Sequence, residues 1–128
     1  MRKEEFFASP VYAEELPQWV EKIDRLSDPY IKQARKEQEE NNKKRLTLGY
    51  KNDIGMTYHS TALEPDENFR FFHDYVAQKS RWCLDDMGYD MSNYSLIYTE
   101  SWVQEFSFNG AGHHWFHTHG NNLISGFY

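Results

Sequence analysis

Ser101 to Tyr128 reads SWVQEFSFNGAGHHWFHTHGNNLISGFY. Trp102, Gln104, Phe106 and Phe108 alternate with Val103, Glu105 and Ser107, the period of two that marks a strand. Gly110 and Gly112 then supply a turn, and Gly120 a further point of close backbone approach. Trp115 to Tyr128 is β-prone again and finishes on an apolar run, Leu123 to Tyr128.

Four of the six histidines, His113, His114, His117 and His119, fall within seven positions of one another. In extended chain, residues i and i+2 lie about 7 Å apart on one side. His117 and His119 are so related, with Thr118 on the other side, and two imidazoles in that arrangement chelate a divalent ion. Imidazole suits iron, zinc, copper and nickel alike, so the pair does not choose its metal. His113 and His114 are consecutive and face opposite ways, so at most one joins the same cluster. A catalytic zinc requires three protein ligands, and a non-haem iron site a facial triad. Third ligands are available in His59, His73, Glu100 and Glu105, and spacing singles out none of them.

Working back towards the amino terminus, Tyr94 to Tyr98 is a further β-prone segment. Before it, Pro65-Asp66-Glu67 opens a helix whose buried side is marked by Phe69, Phe72, Val76, Cys83 and Met87. Gly88 stands where a helix ends. His73 falls on the boundary of that helix, and Cys83 reads as a small core residue. Asn52 to Ser60 combines a turn with a short strand carrying His59. Leu16, Trp19, Val20, Ile23 and Leu26 recur at helical spacing, with Pro17 in the first turn, and predict a short amphipathic helix. Asp28 is placed to cap a second helix from Pro29, while Glu37 to Arg45 reads as a solvated helix end or loop. Phe6 to Tyr12, interrupted by Pro10, predicts an edge strand. Residues 1–88 are thus helix-rich and 89–128 strand-rich, within one domain spanning 1–128.

Composition bounds the function. Of the 128 residues, 39% are hydrophobic and 17% aromatic, so the core is built largely of Phe, Tyr and Trp. A net charge of −6 disfavours nucleic acid, whose phosphates require clustered Lys and Arg. No run of about 18 apolar residues predicts a membrane span. The start lacks the apolar centre of a secretion signal. A single cysteine fits a reducing cytoplasm and excludes a multi-cysteine zinc site.

With those residues in view, the block carrying Trp102, His117, His119 and Ser125-Gly126-Phe127-Tyr128 resembles a known family. It is similar to the 2-oxoglutarate- and Fe(II)-dependent oxygenases common in cyanophage and marine bacterial genomes, relatives of the prolyl hydroxylases. In them a tryptophan-bearing strand precedes a glycine-rich turn, an H-x-H and a strand reading S-G-aromatic-Y. The segments SPVY (9–12), HSTALEPDENF (59–69) and MGYDMSNYSLIYTESWVQE (87–105) also resemble members of the group. The likeness covers most of the chain, and its specific motifs lie in 101–128.

The resemblance implies an α+β fold in which N-terminal helices pack on the first part of a double-stranded β-helix, or jelly roll. It implies Fe(II) held by His117, His119 and a further histidine. The small-molecule co-substrate 2-oxoglutarate would bind that metal, its far carboxylate held by an arginine, with Ser125, Phe127 and Tyr128 lining its pocket. The products would be succinate, carbon dioxide and an oxidised prime substrate whose identity the sequence does not reveal. The family's distal histidine and arginine lie beyond the S-G-aromatic-Y strand, where this chain stops. It is therefore expected to be the N-terminal portion of a longer, incomplete enzyme, in the host cytoplasm if phage-encoded. Two other readings stand beside it. One is a cupin-like zinc or nickel protein using His117 and His119 with Glu100 or Glu105. The other is a non-enzymatic relative that forms homo-oligomers through open sheet edges.

Overall fold

The computed structural model describes residues 10–47, 57–106, 119, 120 and 122–128. A 3-10 turn at Pro17–Trp19 leads into helix α1, Val20–Thr47. Strand β1 is Thr57–His59, helix α2 is Arg70–Asp86 after a 3-10 turn at Glu67–Phe69, and strand β2 is Gln104–Phe106. The chain is thus of mixed α+β type. Among the described residues no helix is long and apolar enough to cross a membrane.

α1 is one helix of 28 residues and not the two pieces expected around Pro29. Proline in a helix interior removes a hydrogen bond and crowds the preceding turn. The residues beyond it, KQARKEQEENNKKR, are mostly strong helix formers, and their summed propensity carries the helix on. Asp28, expected as a cap, instead sits mid-helix and pairs with Lys32 one turn on, and Gln33 donates to Glu37 at 2.7 Å. Ala34 is buried and Arg35 reaches across to β2, so the helix is anchored near its middle.

α2 starts and stops where the sequence places it. The Asp66 carboxylate accepts from the Asn68 N–H at 2.9 Å and caps the turn that becomes α2. The Tyr30 hydroxyl donates to the same carboxylate at 2.8 Å, joining α1 to that cap. At the other end Gly88 takes φ +89°, the left-handed backbone that ends a helix, and the Tyr89 N–H reaches back to the Leu84 carbonyl. The buried side consists of Phe69, His73 and Leu84, with Leu63 and Met91 packed in the same core. Phe72, Val76 and Cys83 are half-buried, and Met87 is exposed.

The segment before α1 runs along α2. The Trp19 ring meets Phe71, Phe72 and Tyr75 edge-on, at 4.7–6.3 Å between centroids. Glu14 pairs with Lys79 at 2.7 Å and accepts from the Tyr75 hydroxyl, contacts that hold its carboxyl below the usual carboxylate range. Tyr12 donates to Asp86 at 2.7 Å and packs on Trp82. Of the edge strand expected at Phe6 to Tyr12, residues 10–12 form no strand and the rest lie outside the described residues.

β1 and β2 pair antiparallel in the register Thr57–Phe106, Tyr58–Glu105 and His59–Gln104. Alternation therefore places Tyr58 and Glu105 on one face and His59, Gln104 and, further along, Trp102 on the other. Glu105 receives both prongs of the Arg35 guanidinium, the Nε contact being 2.6 Å, so its face is the one turned to α1. Tyr94 to Tyr98 and Leu123 to Tyr128 are not strands, contrary to expectation. Their aromatic ends dock on helices instead. The Tyr98 hydroxyl donates to the His73 carbonyl at 2.6 Å, and Tyr128 donates to the Leu16 carbonyl at 2.7 Å with its ring against Phe72.

Candidate functional site

The β1–β2 ladder does not stop cleanly after His59. The Ser60 N–H donates to the Val103 carbonyl at 3.0 Å, but the Val103 N–H is met by the Ser60 hydroxyl and not by a main-chain carbonyl. That hydroxyl in turn donates to the Thr61 carbonyl at 2.8 Å. A last contact, Leu63 N–H to the Ser101 carbonyl at 2.9 Å, holds the two chains together beyond the splay. A cleft of about 250 Å³ opens where the strands part, lined by His59, Ser60, Ala62, Glu100, Ser101 and Trp102.

Its walls are fixed from behind. The His59 ring stacks on the Trp102 indole, 5.1 Å between centroids and 28° between planes. Ser101 Oγ lies 3.2 Å from Nε2 of His73, which is buried among Phe69, Phe72 and Tyr98. His73 is thus a core residue that orients a cleft serine. Burial pushes the neighbouring Tyr98 hydroxyl up to about 12, with the charges of Asp74 and Glu64 acting in the same direction.

His119 approaches this cleft through Glu100, its Nδ1 being 4.0 Å from Glu100 Oε1. A turn closed by the Asn122 N–H on the His119 carbonyl (2.9 Å) holds it there, and Asn122 is tied to Thr99 by a 3.0 Å side-chain hydrogen bond. His113, His114 and His117 lie outside the described residues. Imidazole and carboxylate are the donor types that non-haem iron takes. Donor atoms on one such ion stand roughly 3 Å apart, so the His119–Glu100 pair has fitting chemistry at a more open spacing. Among the described residues no group of three or more His, Cys, Asp or Glu is gathered to hold an ion. Ser125, Phe127 and Tyr128 all lie in the non-strand C-terminal segment, with Phe127 fully exposed.

The structure separates the two carboxylates that sequence left equivalent. Glu105 is engaged by Arg35 on the α1 face, whereas Glu100 lines the cleft beside His119. Ser60 and His73 acquire their roles only in three dimensions. A polar Ser60-Thr61 pair directly after a short strand was the one local sign that the ladder would break.

No family model matches the chain, and no curated protein or solved structure matches it.

Proposed function

We propose that this chain is part of an Fe(II)- and 2-oxoglutarate-dependent oxygenase, a hydroxylase, in which the β1–β2 pair belongs to the opening of a jelly roll. The observation that carries the reading is the approach of His119 to Glu100 at a cleft walled by His59 and Trp102. His117, His119 and a further histidine would hold the iron, and Glu100 stands beside His119 at the cleft. Bound iron and 2-oxoglutarate supply oxygen activation for insertion into a C–H bond. The chain's own residues bind and orient. Trp102 and Ala62 would give the cleft an apolar side, and His73 steadies Ser101 at its wall.

The test is anaerobic titration of Fe(II) in the presence of 2-oxoglutarate, on a chain extended to include the family's distal histidine and arginine. A weak visible charge-transfer band is expected, and His119→Ala and His117→Ala should each remove it. A flat spectrum, or a band that survives both substitutions, overturns the reading.

The placement of Glu100 beside His119 also favours a second arrangement, a cupin-like zinc or nickel site with one carboxylate. Metal analysis of the purified protein separates the two. Retained zinc or nickel without 2-oxoglutarate turnover supports the cupin-like site.

A further inference from the structure

We infer that the cleft receives an organic cation, an alkylammonium group on a short aliphatic stem. Three observations meet here. First, Glu100 is a carboxylate at the cleft whose one ion-pair contact among the described residues is with the His119 imidazole, 4.0 Å away and beyond hydrogen bonding. Glu14 and Glu105, by contrast, are each held by a fixed Lys or Arg. Second, the Trp102 indole lines the same space, and an aromatic face next to a carboxylate is the pairing that recognises ammonium groups. Third, at about 250 Å³ the cleft suits a side-chain-sized group rather than a whole drug-sized molecule.

The two serines at the cleft are committed to structure. Ser60 bonds Val103 and Thr61, and Ser101 bonds His73, so the wall is preorganised and Glu100 supplies the charge that selects. The chain's net charge of −6 draws cations towards it. If the oxygenase reading holds, on which this last step rests, the prime substrate carries an amine and the cleft positions it. The binding itself requires no iron.

The experiment titrates the wild-type chain, in the presence of a metal chelator, with Nα-acetyl-lysine amide and with butane-1,4-diamine. The two probes represent a peptide side chain and a free diamine. Binding is read from the indole N–H resonance of Trp102, assigned with Trp102→Phe. We expect saturable shifts with at least one probe, no shift with the Nε-acetylated lysine amide, and affinity that falls with added salt. Glu100→Gln, at an exposed position that leaves folding intact by circular dichroism, should weaken binding by about tenfold or more. Equal binding of the acetylated probe, unchanged affinity in Glu100→Gln, or no shift with either amine overturns the inference. The iron titration stands apart. A charge-transfer band without amine binding refutes the cation site alone, and amine binding without the band refutes the oxygenase and leaves the cleft an amine site.

Discussion

Arg35 and Glu105, seventy residues apart in sequence, form a two-pronged ion pair that ties the middle of α1 to the centre of β2. The hydrogen bonds to Glu105 keep the Arg35 guanidinium above its ordinary pKa. Arg35 is half exposed, so solvent screens much of the attraction. Arg35→Lys removes the fork geometry, and we expect a small drop in the urea midpoint, shrinking with added salt. An Arg35–Glu105 double-mutant cycle with no coupling at low salt contradicts this.

Pro29 lies inside α1 without a backbone donor. Proline costs a helix interior about 3 kcal/mol, partly offset by its restriction of the unfolded chain by about 1 kcal/mol. Pro29→Ala is therefore expected to stabilise the protein by about 2 kcal/mol, seen as a higher urea midpoint with unchanged slope.

Asp66 has its pKa lowered by the Asn68 main-chain hydrogen bond first and the Tyr30 hydroxyl next. Its folded-state value lies below the unfolded one, so its contribution is present above the ordinary carboxylate range and disappears as pH falls through the lowered value. Asp66→Ala should lower the urea midpoint at neutral pH, and Asp66→Asn considerably less, because asparagine also caps. Unfolding curves from pH 7 to pH 2 should show a shallower acid loss in both variants.

Tyr98 titrates near 12 in the folded chain against 10.0 ordinarily, chiefly through burial. The unfolded state releases its proton first, so stability is full below pH 10 and declines as pH rises towards 12. Tyr12 is raised similarly by its bond to Asp86, but it is solvent-facing and contributes less. Tyr98→Phe should flatten the alkaline decline while losing the hydrogen bond to the His73 carbonyl. An unchanged slope counts against the assignment.

Ser60→Ala leaves the Val103 N–H without the hydroxyl that now meets it. A loss of about 1 kcal/mol is expected, together with faster amide exchange at Val103 than at Glu105, read by NMR.

The parts of the fold legible in sequence are those with local chemical markers. Asp66 and Gly88 bracket α2 because a cap and a left-handed glycine act within a few residues. Thr57 to His59 emerges as the short strand expected to carry His59. α1 was foreshortened because its apolar stripe fades and Pro29 interrupts it, whereas the helix is sustained by residue propensity and by one distant arginine pairing. Tyr94 to Tyr98 and Leu123 to Tyr128 have β-prone compositions that served another end. Their tyrosines hydrogen-bond to helix and turn carbonyls, a use that periodicity does not distinguish from a ladder. The candidate site was visible only in part. His119 stood out by its spacing, but the choice of Glu100 over Glu105 depends on where Arg35 lies.

The hydroxyl of Ser60 takes a position that, in an uninterrupted antiparallel ladder, belongs to main chain. Zipping the two strands by one more regular rung would fill the very space in which a guest could sit. Any redesign that extends the regular ladder past Ser60 is therefore expected to diminish uptake at the cleft.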